Sequence, residues 1–310
     1  MELPHEDDLR WIVARYAHLR AAHGEAIGTP ALVEPTGEFF PDAFSPSPEG
    51  VATLVRRMLA YAPIVDDIAL ELAFAEADGG GGGSCGTGGC GTGAAEKAGP
   101  VAEALPLPFG AGYRLIVPVR DVGDPVVLGA GLARCVGGMV LGEAGEEIAD
   151  VERLATAEIA ATLSGFGLLL LNGACVYTKA CGGLRAHQGT QLDVPSSALA
   201  LALFLRVHDV KPAAARRHLE TTQREAFDEA LRWVDSNTAI VEALRVHPES
   251  LADGVFPVEP VKGLLSRLFG AKPAPLPEMA PASKRKVRTP EEERTLAENR
   301  ALVEEALRAR

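Results

Sequence analysis

Residues 150–181, DVERLATAEIAATLSGFGLLLLNGACVYTKAC, make the longest apolar run in the chain. Ile159, Leu163, Phe166 and Leu170 recur at helical spacing, and from Phe166 to Leu171 nearly every side of such a helix is apolar. A helix apolar all round is either buried in a core or spans a membrane. Spanning takes about 20 predominantly apolar residues, and Ser164 and Asn172 interrupt this run too early. The run reads as a central core helix, and the rest of the chain reads as packing around it.

Composition agrees with that reading. A chain of 310 residues with 47% hydrophobic content can bury a sizeable core, expected as one domain plus appendages. Aromatics make up only 5% while alanine and leucine abound, which favours helices over a β-sandwich and predicts a predominantly helical α+β fold. A net charge of -12 lacks the basic footprint that phosphate binding needs, so no nucleic acid is expected as a partner. Five cysteines, an odd number in a chain of this length, do not make a secreted disulfide framework. With no charged n-region followed by an apolar h-region at the start, and no transmembrane segment expected, a cytoplasmic protein is predicted.

Upstream of the central run, Leu9, Ile12, Val13, Tyr16 and Leu19 mark one face of a first helix that Gly24 closes. His18 and His23 on it read as solvated or satisfied side chains. The segment VEPTGEFFPDAFSPSPEG has no period, but Phe39, Phe40 and Phe44 should anchor it to the core. Ser47 with Pro48 opens a second helix. Alternation at Ile68, Leu70, Leu72 and Phe74, and again at Tyr113, Leu115, Val117 and Val119, predicts two neighbouring strands. The insert GGGGGSCGTGGCGTGAA between them is an excursion, because glycine loses the most backbone entropy on folding. Residues 124–141, DPVVLGAGLARCVGGMVL, read as a helix weakened by four glycines. After the central run come a helix from Pro195 to Val207, a helix that a Thr222–Glu225 capping box starts and that runs through Trp233, and a short one from Thr238 to Leu244.

This order of elements, with the words EPTGEFFPD, GFGLLLLNGA and ALALFLRV, resembles a bacterial zincin-like family. The resemblance covers roughly residues 30–245. It implies a zincin-like helical core at 1–255 in which the helix at 124–141 would carry HExxH, two histidines one turn apart holding zinc and a glutamate as general base. The resemblance also implies an acidic third ligand on the following helix. In this chain Arg134 and Gly138 stand where the histidines belong, and Cys135 stands where the base belongs. Arginine is a fixed cation that does not ligate zinc, and glycine has no side chain. Carboxylates gather between Glu143 and Glu152, but one carboxylate alone does not hold a catalytic zinc. The expectation is a zincin-like scaffold without the metal or the reaction, a pseudo-metallopeptidase that acts as a protein-binding or scaffolding module with no cofactor.

Two alternatives rest on cysteine. Cys85 and Cys90, in the insert at 79–99, could supply half of a structural zinc site that Cys181 and His187 would complete, or serve a redox-linked role. Cys181 with His187, in YTKACGGLRAHQGT, could instead act as a Cys-dependent hydrolase pair. Past Phe256 the composition changes to an amphipathic segment and a proline-rich, basic linker at 256–289, then a charged helix at 290–310. Leu264, Leu265, Leu268 and Phe269 form one apolar patch, and Leu296, Val303 and Leu307 a second, narrow stripe. Both predict that this tail engages a protein partner or a second copy of the chain.

Overall fold

The computed structural model describes residues 2–64, 68–75, 105–180 and 183–259. Cys85, Cys90, Cys181, Leu264, Leu265, Leu268, Phe269, Leu296, Val303 and Leu307 lie outside the described residues. The chain divides into two units, Met1–Lys262 and Gly263–Arg310, and all described residues belong to the first. They are predominantly helical with a small sheet, as composition implied.

The first helix, α1 (Glu6–Ile27), buries Leu9, Ile12, Val13, Tyr16 and Leu19 on the expected face. It runs past Gly24 and stops at Gly28, whose φ of 66° falls in the left-handed region that glycine tolerates. In α2 (Pro48–Leu59), the Ser47 hydroxyl accepts from the Gly50 amide at 3.2 Å, and Pro48 takes the first turn. Phe39 and Phe40 of the preceding segment pack on the core, whereas Phe44 is 40% exposed and anchors nothing.

Strands β1 (Ala69–Ala75) and β3 (Gly112–Pro118) pair in parallel, Leu72 facing Leu115, and the short β2 (Leu107–Phe109) adds antiparallel to β3. Parallel neighbours need a crossover connection, and the glycine-rich excursion lies within that link. Along β3 burial alternates, with Tyr113, Leu115 and Val117 facing inward against α3 (Pro125–Glu143). The carboxylate of Asp124 accepts from the Val126 and Val127 amides and caps α3.

The central run is not one helix. It divides into α4 (Asp150–Ala161), a π-helical turn (Thr162–Phe166) and α5 (Gly167–Gly173). Gly165 in that turn has a φ of 95°, and a Cβ there would sit 2.1 Å from the Ala31 carbonyl oxygen. The Gly165 carbonyl accepts from the Val33 amide at 2.9 Å, so the chain entering from α1 is fastened across the break. The apolar periodicity continues unbroken through this point, which is why the sequence hid it. The last residues of the run leave the helix: β4 (Val176–Ala180) pairs antiparallel with β5 (Gly183–His187).

The second layer comprises α6 (Val194–Val207), a short α7 (Pro212–Arg216) that periodicity did not mark, α8 (Thr221–Ser236) and α9 (Thr238–Val246). The expected capping box is absent. Glu220 precedes the first turn of α8, and the Thr222 hydroxyl lies 2.9 Å from the Tyr177 hydroxyl of the hairpin. Phe256 is buried against α1, where its carbonyl accepts from Arg10 at 2.6 Å. Among the described residues, Pro125–Glu143 and Asp150–Gly173 are long and apolar enough to cross a membrane. The protein itself buries 61% and 89% of them, as it does a core helix.

Candidate functional site

Helix α3 packs against α4 at unusually short range. A Cβ on Gly137 would stand 1.9 Å from the Ala157 carbonyl oxygen, so only glycine permits this approach. One turn earlier on α3, Arg134 points into the same interface and is 3% exposed. Its partner is Glu158 of α4, which is fully buried. An Arg134 guanidinium nitrogen donates to Glu158 Oε1 at 2.9 Å. The carboxylate also accepts from the Gln191 amide at 2.7 Å and the Leu192 amide at 2.8 Å, in the segment leading into α6.

Electrostatics follow the geometry. Burial pushes the Glu158 carboxyl up, and Arg134 with the two amides opposes that rise. The other terminal nitrogen of Arg134 lies 3.5 Å from the Gly189 carbonyl, and its Nε has no hydrogen-bond partner among the described residues. Asp121, in the helical turn before α3, has its carboxyl pushed up to about 6 by burial, with Arg120 and Arg134 partly offsetting this and Asp124 adding to it. The site thus holds one buried guanidinium, a carboxylate with three nitrogen donors, and a second carboxylate that burial pushes up and Arg120 pairs with at 3.6 Å.

The other two positions on α3 that the resemblance singles out, Cys135 and Gly138, are closed. Cys135 is buried, and its thiol is pushed up to about 11, so it carries little thiolate at neutral pH. A Cβ at Gly138 would meet Pro106 Cδ at 2.8 Å and Leu105 Cδ2 at 3.1 Å, so a larger side chain has no room unless the 105–106 segment before β2 shifts. These residues do not fit a catalytic zinc. The position offers a guanidinium, a buried thiol and a bare backbone, and the adjoining carboxylate is already saturated by nitrogen donors.

His187 ends β5, opposite Val176 and half-buried. Its proposed companion Cys181 lies outside the described residues, as do Cys85 and Cys90. Among the described residues, no group of three or more His, Cys, Asp and Glu side chains is arranged to hold a metal ion.

Sequence reasoning placed Arg134 at the site and missed Glu158, looking for a carboxylate between residues 143 and 152 instead. A signal did exist. Glu158 is the lone charge in an otherwise apolar helix stretch, TAEIAATL, and a fully buried carboxylate requires a partner. Comparison with family models, with curated proteins and with solved structures finds no match.

Proposed function

We propose that the chain is a non-catalytic protein built on a metallopeptidase-like helical scaffold, which works in the cytosol by binding another protein. The observation that carries this reading is the buried Arg134–Glu158 pair, at the position where the resemblance puts the first histidine of HExxH. A guanidinium there supplies positive charge permanently, the role a metal cation would otherwise fill between α3 and α4. The carboxylate that meets it accepts three hydrogen bonds, which orient it toward Arg134 and the 191–192 backbone. With no side chain at Gly138 and a protonated thiol at Cys135, the chain offers neither a zinc ligand set nor a general base on this helix. Binding is assigned to the apolar stripes of the tail, Leu264 to Phe269 and Leu296 to Leu307, which have the helix-in-groove pattern.

The test is a mixed peptide library incubated with the purified chain in added zinc and, separately, in chelator, with products read by mass spectrometry. Identical peptide populations in both arms are expected. Chelator-sensitive cleavage products would overturn the proposal.

A further inference from the structure

A second cluster of titratable groups lies away from that helix interface. Glu146, in the connection between α3 and α4, is 13% exposed at its side chain and faces two imidazoles of α1. His23 Nε2 lies 2.5 Å from its Oε1, and His18 Nε2 lies 3.4 Å from its Oε2. Both rings present the same nitrogen to one carboxylate, and no lysine or arginine among the described residues pairs with Glu146. We propose that His18, His23 and Glu146 form a proton-operated latch that fastens the α3–α4 connection to α1.

The surroundings isolate these three groups. The other charges of the facing elements have their own partners: Trp11 and Arg15 of α1 hold Glu152 of α4, Glu143 of α3 accepts from the Tyr113 hydroxyl, and Arg153 pairs with Asp150. Arg20 of α1 donates to the Leu244 carbonyl of α9. Glu25 and Glu147 are exposed.

The mechanism is charge assistance. A neutral imidazole with its proton on Nε2 gives the carboxylate one ordinary hydrogen bond. Once its second nitrogen takes a proton, the same contact becomes an ion pair of roughly twice the strength. The two histidines hold the Glu146 carboxyl below its ordinary value against the opposing pull of burial, so it stays ionised while the rings charge. Glu34 provides the contrast. It faces His218 at 2.8 Å but is also held by Arg217, whose charge does not titrate, so its contact persists at every ordinary pH.

Urea unfolding of the full chain and of Glu146→Gln, at about pH 5.5 and about pH 8, tests the latch. The substitution is expected to lower the folding equilibrium constant about tenfold at the acid pH and by no more than about twofold at the alkaline one. In the His18→Phe, His23→Phe background that pH difference should vanish. An equal cost of Glu146→Gln at both pH values would overturn the proposal. So would a zinc-induced rise in melting temperature that Glu146→Gln abolishes, because the cluster would then be taking a metal rather than a proton.

Discussion

Two glutamates separated by twelve positions, Glu146 and Glu158, meet cations in opposite ways. Glu158 lies in the α3–α4 interface, fully buried, with a guanidinium and two backbone amides on its oxygens. Glu146 lies at the rim, reached by two imidazoles. The inner contact uses a cation that keeps its charge at any ordinary pH, and the outer contact uses imidazoles, which are cations only when both ring nitrogens hold a proton. Depth explains the difference. An uncompensated charge costs most where water is excluded, so the interior contact must be permanently neutralised, whereas the rim tolerates a charge that comes and goes.

The sharpest way to break this comparison is to remove half of the inner pair. Arg134→Ala leaves a buried carboxylate without its cation, and Glu158→Ala leaves a buried guanidinium without its anion. Each is expected to cost about 3–5 kcal/mol in urea unfolding. Arg134→Met combined with Glu158→Leu should recover most of that loss, because replacing both charges removes the desolvation cost along with the attraction. If the single variants are as stable as the parent, the pair is not the buried contact described above.

Asp121 pairs with Arg120 at 3.6 Å and also feels Arg134, yet burial pushes its carboxyl up to about 6, above the ordinary 3.8. With the folded value raised, the folded state retains a proton that the unfolded chain has released. The stability Asp121 contributes is therefore full below about pH 3.8 and is lost as pH rises through about 6. Asp121→Asn should remove that decline and leave the protein more stable than its parent at neutral pH, by on the order of 1–3 kcal/mol. Parallel stability–pH profiles for the two chains across that window would refute the assignment.

Much of the scaffold was legible from periodicity alone. The face of α1, the Ser47 cap of α2, the two alternating strands and the apolar length of α6 all rest on spacing within a single element. What periodicity misses is any feature set by a contact distant in sequence. Gly165 breaks the central run because the Ala31–Val33 segment crosses it, and nothing near Gly165 announces that crossing. Thr222 and Glu225 have capping-box spacing, but the helix begins one residue earlier and Tyr177 takes the hydroxyl. The site divides in the same way. Arg134, Cys135 and Gly138 could be found by position within α3, whereas Glu158 and the 191–192 amides belong to it only because α4 and the approach to α6 fold against that helix. His18 and His23 looked unremarkable for the same reason, since Glu146 is contributed from more than a hundred residues away.

The space between α3 and α4 is expected to hold the Arg134–Glu158 ion pair and to take no metal. Thermal melting with and without zinc tests it most directly, because a ligand bound only to the native state raises the melting temperature by mass action. Cys85→Ser, Cys90→Ser and Cys181→Ser are introduced first, so that zinc on those thiols does not contribute. The melting temperature of this variant is expected to be the same in zinc and in chelator. A rise with zinc that disappears on Glu158→Gln would contradict the account.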